Sequence, residues 1–238
     1  MQVHVISSVN EAVSEELLHK TVIAIDVLRA TSTITAALEN GSTGVLPVET
    51  VQQARTLQDR GDVLGGERYC RKIAGFHLGN SPLEYTSQEI QGRRVILTTT
   101  NGTRALHKAH KASHVLAGCL RNAAACAKAA IRLGRDTVIL CAGTKDEFSL
   151  EDGLCAGLIT EHILQARSGA LEVNDLGLAL RAAYLHSSGK LTETLLASSN
   201  GRRLLKIGYK ADVVYCAEAN VSNLVPILEQ GTMVPFHL

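Results

Sequence analysis

The sequence contains no tryptophan, and aromatic residues fill only 3% of its 238 positions. A base-stacking surface for single-stranded nucleic acid has little to be built from. An excess of one charge is missing too: 24 Lys and Arg stand against 23 Asp and Glu, a formal balance of +1. With no global field to recruit nucleic acid or anionic membrane, any affinity for anions must be local. The basic run Gly201 to Lys206, with Lys210, reads as a solvated helix face. No stretch approaches the ~20 apolar residues that span a bilayer, and the start Met1-Gln2-Val3-His4 lacks the basic and apolar runs of a secretory signal. A cytoplasmic protein with neither nucleic-acid nor membrane partner is expected. No Cys-x-x-Cys pair occurs among Cys70, Cys119, Cys126, Cys141, Cys155 and Cys216, so these read as reduced, mostly buried small hydrophobes. No Pro-rich, Ser-rich or low-complexity linker divides the chain, and residues 1–238 are expected to form one unit.

Apolar residues make up 45% of the chain, enough for a sizeable core. Short β-branched runs at Val22–Ile25, Gly44–Val48, Val95–Leu97 and Thr137–Leu140 read as buried strands. Helix-like segments follow them at Thr33–Glu39, Val51–Arg60, Thr103–Lys108 and Asp152–Ala166. Such alternation argues for βαβ units, and so for an α/β fold with a largely parallel or mixed sheet covered on both faces. Further strands are expected at Val3–Ile6, Val115–Ala117 and Val213–Tyr215, and further helices at Leu176–Ser187 and Leu191–Ser198. Gly41, Gly61, Gly134 and Gly169 each follow a helical pattern, where a left-handed cap is expected. In an open parallel sheet, ligands sit at the loops after the strands' carboxyl ends.

Four such segments could carry chemistry. In the first, Asp26 closes an apolar strand and is followed by Arg29, Thr31, Ser32 and Thr33. The carboxylate could hold a divalent cation, and the hydroxyls and guanidinium could hold phosphate oxygens; Asp26 or Thr31 could equally cap a helix. In the second, Gly65-Gly66 could let the backbone approach a ligand or merely make a turn, with Glu67 a hard oxygen ligand and Arg68 an anion clamp. The third, Thr98 to Arg104, offers Thr100, Asn101, Gly102, Thr103 and Arg104 as a second anion cradle in ordinary turn vocabulary. The fourth places Lys145 before Asp146, Glu147, Glu151 and Asp152, and Glu151 and Asp152 are favoured to complete a metal site with Asp26 and Glu67. Carboxylates for a hard cation beside cationic and hydroxyl donors form the mixture that phosphoryl chemistry needs.

Five motifs in order, Ile25 to Thr33, Gly65 to Arg68, Gly79 to Pro82, Thr99 to Thr103 and Phe148 to Asp152, resemble the 2-phosphosulfolactate phosphatase family over nearly the whole chain. The resemblance implies a three-layer α/β/α fold and a Mg²⁺-dependent hydrolase that removes phosphate from (R)-2-phospho-3-sulfolactate, on one route to coenzyme M. It implies Asp26, Glu67, Glu151 and Asp152 as metal ligands or acid/base groups, with Asp26, Glu67 and Asp152 catalytic. A substrate bearing phosphate, sulfonate and carboxylate would account for the surplus of cations at Arg29, Arg68, Arg104 and Lys145. Attack by water is favoured over an aspartyl-phosphate, because Leu28 stands where an Asp-x-Asp motif needs its second acid. The rival from another class is a binder of an anionic metabolite without turnover. A homodimer is the expected assembly for an enzyme of this size.

Overall fold

The computed structural model describes residues 1–166 and 171–236, so Gly169 lies outside them. Eleven strands among these residues form one mixed sheet. They are β1 (Gln2–Ile6), β2 (Thr21–Ile25), β3 (Gly44–Pro47), β4 (Val63–Arg68), β5 (Arg71–Lys72), β6 (Arg94–Thr98), β7 (His114–Gly118), β8 (Thr137–Cys141), β9 (Glu172–Val173), β10 (Val225–Glu229) and β11 (Thr232–Phe236). Their spatial order is β5-β4-β6-β3-β11-β10-β7-β2-β8-β1-β9.

Two parallel groups make up the sheet, β7-β2-β8-β1-β9 on one side and β4-β6-β3 on the other. The hairpin β10–β11 stitches them together, and its turn places Gln230 and Gly231 at φ of 48° and 84°, the twist that suits a two-residue hairpin. Three successive antiparallel pairings, β7 with β10, β10 with β11 and β11 with β3, leave the two groups running in opposite senses. Five strand steps separate β2 from β6. At about 20–25° of twist per step the two strands cross at a steep angle, which lets their carboxyl ends meet.

Alternation along β2 explains the layering. Val22 and Ala24 face one core with Ile34, Leu38 and Leu106 from the helices Ala30–Glu39 and Gly102–Lys108. Ile23 and Ile25 face the other core, with residues of the helices Ala123–Leu133 and Leu150–Ala166. A third, smaller cluster packs Ala54 of the helix Val51–Thr56 on Leu64 and Ile96. The fold is therefore a three-layer α/β/α arrangement, as expected. All five residues of β2 are buried, which is why it reads as an unbroken apolar run rather than an alternating one.

Two expected elements differ. Val213–Tyr215, β-branched and aromatic, lies in the helix Lys210–Cys216, because Val213 and Cys216 enter the core at helical spacing while Asp212 meets a buried arginine. The Gly65-Gly66 pair belongs to β4 rather than to a turn. A Cβ on Gly65 would stand 2.0 Å from the Tyr85 hydroxyl, and one on Gly66 2.1 Å from the Thr98 carbonyl, so both glycines serve close packing within the protein. No helix among the described residues is long and apolar enough to cross a membrane.

Candidate functional site

A cleft of about 110 Å³ opens where the ends of four strands come together. Asp26 enters it from the end of β2, Glu67 from β4, Thr99, Thr100 and Asn101 from the loop after β6, and Thr144 and Lys145 from the loop after β8. Leu28, Arg29, Tyr69, Cys70, Asn80, Asn200 and Arg203 complete its walls.

Asp26 is buried, and burial, with the nearby Glu67 and Glu151 carboxylates, pushes its carboxyl up to about 7 against hydrogen bonding from the Ala30 N–H and the charge of Arg29. Glu67 is buried and fixed by three donors: Oε1 accepts from the Thr100 N–H at 2.8 Å and the Thr100 hydroxyl at 2.7 Å, and Oε2 from the Cys70 N–H at 2.6 Å. Asp152 accepts from the Val27 N–H at 2.9 Å and the Gly143 N–H at 3.1 Å, clamping the loops that follow β2 and β8. Burial, then Asp26 and Glu151, hold the Asp152 carboxyl well above the usual carboxylate range. Glu151 accepts from the Asn200 amide at 2.7 Å. Among the described residues no group of three His, Cys, Asp or Glu side chains is arranged to hold a metal ion. The expected four-carboxylate set thus divides by position: Asp26 and Glu67 line the cleft, Glu151 lines an adjoining hollow and Asp152 lies behind them, while Glu67, Glu151 and Asp152 each accept from protein donors.

The expected anion donors divide as well. Arg29 lines the cleft, but its charge is committed to Asp212 at 2.6 Å, deep in the protein, and its guanidinium stacks on the Tyr209 ring. Arg68 donates to the carbonyls of Glu67 and Glu49 and to the Thr98 hydroxyl, at 2.7, 2.9 and 3.0 Å. Arg104 pairs with Asp146 at 3.0 Å and lines a separate surface hollow with His107, Lys108 and His110. Thr31 donates to the Asp26 carbonyl and accepts from the Asp26 N–H, while Ser32 donates to the Val27 carbonyl, so both hydroxyls close their own turn. Thr103 donates to the Thr99 carbonyl. Gly102 lies against Asp26, where a Cβ would come within 2.6 Å of Oδ2. Of the expected donors, Thr100, Asn101 and Lys145 reach the cleft beside Arg29. The Asn101 side chain makes no capping bond and so is not consumed by the helix it precedes.

Residues not singled out for the site also stand there, Asn80, Asn200 and Arg203 among them. Asn80 is buried in the cleft wall, and its carboxamide oxygen has no hydrogen-bond partner among the described residues. The motif Gly79 to Pro82 carried that signal in the sequence. Asn200 and Arg203 come from the helix Ser199–Lys206, and Arg203 falls within the run that reads as a solvated face.

The family model described as 2-phosphosulpholactate phosphatase matches residues 7–231. The chain belongs to that family. A protein of Symbiobacterium thermophilum named probable 2-phosphosulfolactate phosphatase is 43% identical over 230 residues, 95% of this chain and 98% of its own length. Proteins with the same name from Caldanaerobacter subterraneus subsp. tengcongensis and Clostridium acetobutylicum are 41% and 37% identical, covering 94% and 98% of this chain and 93% and 100% of their own lengths. The family match includes every residue of the cleft named above.

The donor set can be tested against Mg²⁺, the ion the family resemblance implies. Mg²⁺ is usually held through one or two carboxylates with water and substrate phosphate completing its shell, not by an all-protein cage. Asp26 and Glu67 on one wall, with the unpartnered oxygen of Asn80 beside them, fit that requirement.

Proposed function

We propose that the chain is a Mg²⁺-dependent phosphatase that hydrolyses (R)-2-phospho-3-sulfolactate to 3-sulfolactate and phosphate. The observation that carries this reading is one cleft, in a chain matched by the family over residues 7–231, that joins two carboxylates to cationic and amide side chains. Asp26 and Glu67 would hold the metal, which when bound supplies positive charge against the phosphoryl oxygens. Thr100 keeps Glu67 oriented through its N–H and hydroxyl, and Cys70 does so from the other side through its N–H. Asn101 and Lys145 line the same cleft and would donate to anionic oxygens of the substrate. In the reaction a water oxygen bonds to phosphorus, the bond from phosphorus to the lactate oxygen breaks, and that oxygen takes a proton originating from the water. Leu28 presents an apolar side chain to the cleft two residues after Asp26, so no second acid stands where an aspartyl-phosphate mechanism would need one. Direct attack by water is the simpler route.

The test is phosphate release from 2-phosphosulfolactate by the purified protein with Mg²⁺ or with EDTA, beside phospholactate and phosphoglycerate. Release with Mg²⁺, its loss in EDTA and its loss in Asp26→Asn are expected. Full activity of Asp26→Asn would remove Asp26 from the site.

A further inference from the structure

We propose that Arg203 determines substrate specificity by binding the second strong anion of the substrate, the sulfonate, an assignment that rests on the function proposed above. The first step is a census of charge. Arg29 is committed to Asp212, Arg104 to Asp146, and Arg68 to two carbonyls and a hydroxyl. Lys145 and Arg203 are the cleft-lining cations that make no ion pair among the described residues. Lys145 is an exposed point charge, whereas Arg203 is half-buried and offers a planar fork of donors suited to an oxyanion such as a sulfonate.

Position supports the assignment. Arg203 lines the cleft that holds Asp26 and Glu67, and also an adjoining hollow of about 310 Å³ walled by Ser149, Glu151 and Ser199. It therefore stands where a substrate held at Asp26 and Glu67 would extend into the hollow, beside the Glu151 carboxylate that would otherwise repel a sulfonate. Its charge reaches the Cys70 thiol on the cleft wall, where it opposes the upward push of burial. The helix that carries it is firmly seated: Ser198 accepts from the Gly201 N–H at 3.0 Å, and a Cβ on Gly201 would fall 1.8 Å from the Leu195 carbonyl. One turn earlier, Asn200 donates to Glu151 at 2.7 Å and to Thr144 at 2.6 Å, fixing the face that Arg203 shares.

The experiment compares kcat and KM of wild type, Arg203→Ala and Arg203→Lys, with Mg²⁺, on 2-phosphosulfolactate and on 2-phospholactate, which lacks the sulfonate. Arg203→Ala is expected to lower kcat/KM on the sulfonated substrate roughly 30- to 100-fold, mainly through KM, the loss typical of a charge-assisted pair. On phospholactate it should change less than about 3-fold, and Arg203→Lys should recover part of the preference. Arg202→Ala, whose exposed guanidinium donates to the Ala197 carbonyl, should behave as wild type on both. Equal losses on the two substrates, or an unchanged ratio, would overturn the assignment. Should wild type release phosphate from neither, the function reading itself falls, and calorimetry with 3-sulfolactate and lactate decides Arg203 separately. A preference for sulfolactate that Arg203→Ala abolishes would uphold the anion site, and equal binding of both compounds by wild type would end it.

Discussion

Gly102 sets the distance between the Gly102–Lys108 helix and the carboxylate of Asp26. An added Cβ would lie 2.6 Å from Asp26 Oδ2 and 2.4 Å from the Ala30 Cβ, and Ala30 is fully buried in its own helix. The carboxylate is the part free to give way. Gly102→Ala is therefore expected to lose activity about 10-fold or more, with ~1–3 kcal/mol of stability lost to overpacking. Phosphate-release kinetics and urea unfolding measure the two effects, and a fully active Gly102→Ala would show that the position of Asp26 does not limit turnover. The type of residue at this position was legible in the sequence, but its job as a spacer was not, since a glycine in a turn and a glycine under a side chain look alike. The cations teach the same lesson. Arg29, Arg68 and Arg104 announce their charge in the sequence, whereas the acid or carbonyl that absorbs it lies 183, 19 and 42 residues away for one partner of each. Asp26 and Glu67 could be picked out as candidates from their positions after an apolar strand and a Gly pair, although a helix cap and a turn accounted for them as well.

The helix Lys210–Cys216 shows how one element can close a site without entering the reaction. Asp212, 2% exposed, accepts from Arg29 at 2.6 Å and from the Ser81 hydroxyl at 2.7 Å, tying the loop after β2 to the loop that carries Asn80. Tyr209, just before the helix, supplies the ring under the Arg29 guanidinium. Removing one partner of a buried pair strands the other, which costs ~3–5 kcal/mol, more than the pair itself contributes. Asp212→Ala should show that loss in urea unfolding, while a double variant Arg29→Met, Asp212→Leu should recover much of it, because no charge is then left buried. If Asp212→Ala cost less than ~1 kcal/mol, Arg29 would have to find another partner, and its exclusion from the cation census would fail with it. The strand-like run at 213–215 concealed this helix, since local propensity favours a strand and only the buried pair and the core positions of Val213 and Cys216 override it. The alternation of strands and helices along the first 166 residues, by contrast, was legible apart from β4, whose Gly65-Gly66 pair reads equally as a turn.

For the molecule as a whole, the buried carboxylates set a relation between acidity, metal and stability. Asp26 is held at about 7 and Asp152 well above its ordinary value of 3.8, first by burial and then by neighbouring carboxylates. A folded-state pKa above the unfolded one means that the folded protein binds more protons between pH ~4 and ~7, so its stability falls as pH rises through that window. Asp62, drawn low by Arg94 and the Asp59 N–H despite its burial, adds the opposite slope only as pH falls toward and below its ordinary 3.8, beneath that window. His114, lowered by burial and Arg135, contributes the opposite slope as pH drops below 6.5, and comparison with Asp26→Asn isolates the carboxylate effect. In EDTA the melting temperature is therefore expected to rise when pH falls from 8 to 5.5, and Asp26→Asn should be more stable than wild type at pH 8 with a flatter profile. On the proposed function Mg²⁺ would bind the ionised carboxylates of the folded state, and it should then raise the wild-type melting temperature most at pH 8 and least at 5.5, with no such gain in Asp26→Asn. Thermal scans at three pH values, with Mg²⁺ and with EDTA, measure both slopes. A wild-type melting temperature that rises with pH in EDTA would mean that these acids are already neutralised inside the protein, leaving the cleft without the uncompensated charge that a divalent cation answers.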